Sequence, residues 1–213
     1  MRLLPAHYVK AYVRRNKTDQ ADAAALIEAA RCVEIREVPV KTVEAQQIQS
    51  LHRLRSQWMS TRQRYVNTLR GILREFGFAI PLGVNVAKEQ IGAALADPGS
   101  EVPQALRATL TQMLQEVRVL EENILGVERQ LNALTCADVR VQQMRQIPGI
   151  GALTSTALRA IVGDIRRFPS GRHFASWLGL TPNERSSGPS TATGAHKPLR
   201  FMHFPLLNVA LRK

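Results

Sequence analysis

The chain has 213 residues, of which 45% are hydrophobic, which is enough for a folded core and excludes a disordered polypeptide. Its 29 Lys and Arg against 17 Asp and Glu give a net charge of +12, which favours nucleic acid over an acidic small molecule as partner. There is no apolar run of membrane-spanning length, no signal peptide and no zinc-ligand spacing around Cys32 and Cys136, so we expect a cytoplasmic, nucleoid-associated protein with reduced thiols.

Residues 1–31 contain an alanine-rich segment that predicts a helix from about Thr18, with Thr18 or Asp19 as its cap. Asp19 and Asp22 are three residues apart, so a helix places both carboxylates on one face, where they could share a divalent cation. Two carboxylates are fewer than a two-metal nuclease centre usually uses. The same pair would also compensate the helix dipole, and both interpretations remain open.

Residues 33–40 predict either a short strand or an extended linker. From Glu44 a long helix follows, and its apolar residues repeat at spacings of three and four, as in a coiled coil. These positions are Leu51, Leu54, Trp58, Thr61, Tyr65, Thr68, Ile72 and Phe76. The other faces carry six arginines, and Glu75 is the only acidic residue between Leu51 and Phe76. They could form a solvated face, but contact with phosphate is favoured, with Arg53, Arg62 and Arg70 as candidate nucleic-acid ligands.

A second long helix is predicted from about Pro103 to Leu134, and residues 77–99, which contain prolines and glycines, separate it from the first as the tip of an arm. Its apolar residues keep the four-three spacing over four heptads. They are Leu106, Leu110, Met113, Val117, Leu120, Ile124, Val127, Leu131 and Leu134. The two seams are predicted to form an antiparallel coiled coil within the chain, or to pair with another protomer.

A glycine turn at residues 147–151 lies between two helical patterns, which predicts a helix-hairpin-helix. Gly149 and Gly151 would let the backbone approach a ligand, and the amides of a helix beginning near Ala152 suit a phosphate. The pattern resembles the sequence-independent DNA-binding hairpins of repair enzymes. A helix connection that only packs is the alternative.

After the hairpin, Arg166 and Arg167 are further candidate nucleic-acid ligands, and Phe174 and Trp177 are predicted core residues. The composition of residues 181–188, which include Arg185, Ser186 and Ser187, predicts a polar turn. Composition alone favours a turn there, because Ser, Asn, Gly and Pro concentrate in turns for backbone reasons.

Residues 9–23, 38–41, 49–53, 70–77 and 144–188 together resemble a bacterial insertion-sequence transposase family that is related to the Piv and MooV DNA invertases. That family has a RuvC-like domain with a DEDD acidic tetrad and a serine-bearing C-terminal transposase domain. The resemblance implies that Asp19 and Asp22 match the last two acids and bind Mg²⁺. It also implies that Ser187, or its neighbour Ser186, is the nucleophile.

The implied chemistry is attack of the serine oxygen on a DNA phosphodiester, which forms a phosphoserine link and releases a 3′ hydroxyl. Arg185 would balance phosphate charge. The resemblance further implies three partners, which are DNA, a structured noncoding guide RNA and further copies of the chain.

We therefore expect a mainly α fold made of a RuvC-like remnant (residues 1–42), a coiled-coil arm (43–135), a helix-hairpin-helix transposase domain (140–188) and an aberrant tail (189–213). The likeness is expected to stop at Gly188, which would fit a frameshift. The first two tetrad acids would lie upstream of Met1. The predicted protein is a DNA-binding transposase fragment that is inactive alone, or a non-catalytic nucleic-acid-binding module that assembles with an intact transposase.

Overall fold

The computed structural model describes residues 3–13, 18–35 and 37–180, and these residues are mainly α-helical, as predicted. The helices are α1 (Ala6–Lys10), α2 (Asp19–Arg31), α3 (Val43–Glu75), α4 (Val84–Ala96), α5 (Gln104–Thr135), α6 (Val139–Arg145), α7 (Ala152–Val162) and α8 (Gly171–Trp177), with a 3-10 turn at Ile165–Arg167. The described part of residues 33–40 contains no strand. The chain divides into two compact units, residues 1–43 and 44–213.

In the first unit, α1 packs against α2, and α2 begins at the predicted cap. The Thr18 hydroxyl accepts a hydrogen bond from the amide of Ala21 at 3.2 Å, which satisfies one of the amides that a helix start leaves without a partner. Ala25 and Ala29 are buried, whereas Leu26 is half exposed. The buried side of α2 is therefore a narrow alanine face.

In the second unit, α3 and α5 run antiparallel. Arg55 of α3 pairs with Glu128 of α5 at 2.7 Å, and Arg62 pairs with Glu121 at 3.6 Å. Seven residues towards the C-terminus of α3 thus correspond to seven residues towards the N-terminus of α5, which is one heptad on each helix.

The buried face of α5 includes five of the nine predicted seam residues, whereas Leu106 and Leu134 are each 38% exposed, and the buried face of α3 departs further from its predicted seam. Buried residues of α5 are Leu110, Leu114, Val117, Ile124, Val127, Leu131 and Thr135. Those of α3 are Ile48, His52, Arg55, Val66, Leu69 and Leu73. The seam predicted for α3 is wrong at Leu54, which is 46% exposed, and at Thr68, which is exposed. The observed face includes a histidine and an arginine because other helices supply their polar partners.

The region predicted as the tip of the arm contains a further helix, α4, of 13 residues. Its buried residues are Ala87, Ile91, Ala94 and Leu95, and α4 packs on α5. Two arginines anchor the loops on either side. Arg70 donates to the carbonyls of Pro81 at 2.7 Å and Gly83 at 2.8 Å, and Arg107 donates to several carbonyls between Leu95 and Val102.

The helix α7 packs on the base of the α3–α5 pair. Gln49 donates to the carbonyl of Ala160 at 2.9 Å, and the His52 ring lies 2.9 Å from the hydroxyl of Thr156. Most of α7 from Thr154 to Val162 is buried. Among the described residues, no helix combines the length and apolar character that crossing a membrane requires.

Candidate nucleic-acid interface

The turn between α6 and α7 has the backbone geometry that its glycines predict. Gly149 adopts φ +87°, in the left-handed region that strains residues with a side chain, and the amide of Ile150 closes the turn on the carbonyl of Ile147 at 3.0 Å. Gly149 and Gly151 are exposed, and Ile147 is half exposed. Two packed helices with a glycine turn thus occur where they were predicted, whereas their DNA-binding role stays a prediction.

The helix α7 begins behind the exposed Gly151 without a side-chain cap, and the residues of its first turn, Ala152 to Ser155, are half buried or buried. Gly151 is its N-cap residue, with φ −84° and ψ −177°, and the first intrahelical bond runs from the amide of Ser155 to the carbonyl of Gly151 at 3.0 Å. The preceding amides, which include those of Ala152 and Leu153, have no partner within the helix. No atom lies within 4 Å of the position that a Cβ on Gly151 would take. An anion therefore has room to approach amides at the positive end of the helix dipole.

An ion pair fixes the angle between the two helices of the hairpin. Asp138 caps α6 by accepting from the amide of Arg140 at 2.9 Å, and its other oxygen accepts from Arg159 of α7 at 2.6 Å. Partial burial acts to raise the pKa of Asp138, but the hydrogen bond from Arg159 and those from α6 amides hold it below its usual value. This pair could not be predicted from neighbouring sequence, because 21 residues separate its members.

The outer side of the hairpin is basic. Between Val139 and Val162 the sequence contains three arginines and no acidic residue. Arg159 is used in the ion pair, whereas Arg140 at the start of α6 and Arg145 in its last turn, just before the glycine turn, are exposed. Arg140 and Arg145 were not among the predicted ligands, although the absence of acidic residues from this segment is visible in the sequence.

Arg166 and Arg167 have different environments. The Arg166 side chain is 89% exposed and lies 3.7 Å from Asp164. The Arg167 guanidinium lies 5.0 Å from the ring centre of Phe168 and 5.3 Å from that of Trp177, which is cation–π geometry. Arg167 thus holds an aromatic cluster together, and Arg166 is the one that points to solvent.

The candidate arginines of α3 also differ in their environments. Arg53 is exposed, whereas Arg62 pairs with Glu121 and Arg70 bonds to the loop carbonyls of Pro81 and Gly83. The expectation that these charges are unpaired is wrong for Arg62, as it is for Arg55. Their acidic partners lie on α5, far along the chain, where neighbouring sequence gives no indication of them.

A buried histidine joins α3 to α7. Burial, and then the nearby charge of Arg55, lowers the pKa of His52 to about 4 from its usual 6.5. The ring is therefore neutral at physiological pH, and its hydrogen bond to Thr156 satisfies a buried polar pair.

The described part of the chain does not assemble a metal centre. Asp19 is exposed and Asp22 is half buried in the first turn of α2. No group of three or more His, Cys, Asp or Glu side chains within the described residues could hold a metal ion. Two carboxylates do not complete the oxygen shell that Mg²⁺ needs. Arg185, Ser186 and Ser187 lie outside the described residues.

Comparison with known proteins places both ends of the chain among transposases. A transposase profile of the DEDD IS110 type matches residues 2–78, which suggests use of a divalent metal. A profile described as "Transposase IS116/IS110/IS902 family" matches residues 141–199. Because this match extends past Gly188, the expectation that the likeness stops there is wrong.

Three relatives illustrate the similarity. A probable family 20 transposase of Pseudomonas aeruginosa is 38% identical over 88% of this chain and 56% of its own length. The IS1111A transposase of Coxiella burnetii is 34% identical over 87% of the chain and 51% of its own length. The IS1328 transposase of Yersinia enterocolitica is 32% identical over 92% of the chain and 58% of its own length. The chain thus spans little more than half the length of these relatives.

Proposed function

We propose that the chain belongs to the IS116/IS110/IS902 family of transposases and that it binds DNA during transposition of an insertion sequence, with the α6–α7 hairpin as its main contact. The observation that carries this proposal is the exposed glycine turn that precedes α7, with Gly149 in the left-handed region and Gly151 as an N-cap without a side chain. Arg145, which is in the last turn of α6 just before the glycine turn, is exposed.

Such a surface suits the sugar-phosphate backbone better than base edges. Backbone amides and a helix N-terminus bind phosphate oxygens without reading sequence. The chain's net charge of +12 adds long-range attraction that acts on any sequence. Binding by this hairpin should therefore position the protein on DNA, and target choice would come from another component, for which a structured guide RNA is our proposal.

We assign the covalent chemistry to Ser187, with Ser186 as the alternative, because the family match covers both. The serine oxygen would attack the phosphorus of a DNA phosphodiester and form a phosphoserine bond. The bond from phosphorus to the 3′ oxygen would break, and that oxygen would take up a proton as the serine gives up its own. Arg185 would balance the charge on the phosphate.

No step is assigned to Mg²⁺, because Asp19 and Asp22 alone do not fit a complete metal site. We therefore propose that this chain binds DNA and does not exchange strands by itself. The test is a recombination assay with Mg²⁺, the ends of the element and its RNA. Robust recombination by the purified chain would contradict the proposal.

DNA binding is tested separately by fluorescence anisotropy with a labelled duplex of about 30 base pairs. Affinity should fall steeply with salt, because each phosphate contact releases counterions. Failure to retain DNA at low ionic strength would overturn the proposed function. Ser187→Ala and Asp19→Ala should leave this binding unchanged.

The small number of described metal ligands favours a second role, that of a non-catalytic module that assembles with an intact transposase. Size-exclusion chromatography of the chain mixed with a full-length relative tests it. A shared peak that supports recombination would favour this role, and separate elution would exclude it. Formation of homo-oligomers by the chain alone is proposed as well and would appear in the same experiment.

A further inference from the structure

The face of α3 that points away from its buried side carries a continuous polar stripe. Its members repeat at spacings of three and four, and every one is exposed. They are Gln46, Ser50, Arg53, Gln57, Ser60, Arg64, Asn67, Gly71 and Arg74, which we call the arginine stripe. From residue 45 to residue 74, α3 contains no acidic residue. The stripe is thus positive from Arg53 to Arg74, and the exposed Glu75 at the end of α3 lies next to Arg74.

The structure separates the six arginines of α3 into two sets of three. Arg55, Arg62 and Arg70 are held by α5 or by loop carbonyls. Arg53, Arg64 and Arg74 belong to the arginine stripe. Arg64 bonds only to the hydroxyl of Thr61, one turn away, and neither Arg53 nor Arg74 has an ion-pair partner among the described residues.

The spacing of the three stripe arginines fits a duplex. With a rise of 1.5 Å per residue, Arg64 lies about 16 Å from Arg53 along the helix axis, and Arg74 lies about 15 Å further. At about 100° per residue, the three side chains leave α3 within about 80° of each other. The total of about 31 Å is close to one turn of a nucleic-acid duplex, roughly 34 Å.

The residues between the arginines favour close approach. Ser60 and Gly71 are small, and Gln57 and Asn67 are uncharged groups that can donate hydrogen bonds to phosphate. A cationic face that served only solubility would not need small residues between its charges. A long apolar partner is also a poor fit, because the stripe contains no apolar residue.

We propose that the arginine stripe is a second backbone-binding surface, which lies along one turn of a nucleic-acid duplex. Arg53 and Arg74 would contact one strand at points one turn apart, and Arg64 would contact the opposite strand between them. This inference rests on the proposed function for the nature of its ligand, a phosphodiester backbone. It concerns a different surface from the α6–α7 hairpin.

The test compares two double variants that each remove two positive charges from exposed positions. Arg53→Gln/Arg74→Gln changes the arginine stripe, and Arg118→Gln/Arg129→Gln changes α5. Each is measured by anisotropy over a range of salt concentrations with a DNA duplex and an RNA duplex of about 24 base pairs. Circular dichroism melting checks that both variants fold.

The stripe variant should bind about 10- to 100-fold more weakly near 0.1 M salt, and its slope of log affinity against log salt should fall by about 2. The α5 variant should lose much less affinity. A loss on either duplex supports the proposal and identifies which duplex the stripe binds. On a duplex of about 8 base pairs, which is shorter than one turn, the stripe variant and the unchanged chain should differ only slightly in affinity.

Equal losses for the two variants would overturn the proposal, because net charge alone would then explain binding. Unchanged binding of both duplexes by the stripe variant would overturn it too. Unchanged binding by the stripe variant, together with weak binding by Gly151→Asp, would leave the hairpin's proposed function standing. No binding by the unchanged chain would reject both proposals.

Discussion

Replacing Gly151 by aspartate should separate DNA binding from folding. The residue has φ −84° and ψ −177°, which any L residue adopts, and the space beside its Cα is open. Aspartate is among the best N-cap residues, so its carboxylate should accept from first-turn amides of α7. We expect stability to stay the same or to rise by a few tenths of a kcal/mol, which is about 1 °C in a chain of this size.

The same carboxylate should weaken DNA binding, because it takes the amides that would bind phosphate and places a negative charge beside it. Loss of one hydrogen bond to a charged group costs about 1.5–3 kcal/mol. Repulsion between the carboxylate and a phosphate about 5 Å away adds roughly 1–3 kcal/mol, depending on the local dielectric constant. Allowing for partial screening, we expect the binding free energy to weaken by about 2–4 kcal/mol in total, which is about 30- to 1000-fold in affinity.

The assay is anisotropy with a 30-base-pair duplex at fixed salt, together with a thermal melt of each variant. Gly151→Asn is the matched control, because asparagine caps equally well but has no charge, and its binding should fall less than that of the aspartate variant. If Gly151→Asp folds normally and binds DNA as tightly as the unchanged chain, the start of α7 is not the phosphate contact.

Three further predictions concern stability. The pKa of His52 is about 4 in the folded chain and 6.5 in the unfolded chain, so between these pH values only the unfolded chain binds the extra proton. Urea-unfolding experiments should therefore show the free energy of unfolding falling from pH 6.5 towards pH 4, by up to about 3 kcal/mol. His52→Gln should remove most of this dependence, and an unchanged pH profile would contradict the assignment. Arg167→Ala should lower the melting temperature by about 2–4 °C through loss of its cation–π contacts, whereas Arg166→Ala should not, and equal effects would refute the distinction. Arg107→Ala should lower the free energy of unfolding by about 2–4 kcal/mol in the same urea experiment, because it leaves loop carbonyls without their donor. Arg129→Ala, on the exposed side of α5, should lower it by less than about 0.5 kcal/mol.

Local signals explain which features could be predicted from sequence. The Thr18 cap, the left-handed Gly149 and the α5 seam depend on residue types or spacings within one segment. The start of α7 could be placed at Ala152 for the same reason, since a glycine turn precedes an apolar helical pattern.

Long-range pairing explains what could not be predicted. The register of α3 depends on Glu128 and Thr156, which lie 73 and 104 residues from their partners Arg55 and His52. A polar residue on a buried face looks like a surface residue until its partner is known. For the same reason, sequence alone could not distinguish the arginines that hold the fold together from those that face solvent.

The docking of α7 on the base of α3 has a mechanical consequence. The contacts from Gln49 to Ala160 and from His52 to Thr156 attach the hairpin to a helix of 33 residues, about 50 Å in length. A small tilt of the hairpin on its ligand would therefore swing the distal end of α3 through a larger arc. A force applied at the distal end of α3 would likewise act on the hairpin with a larger torque than the same force applied near the hairpin.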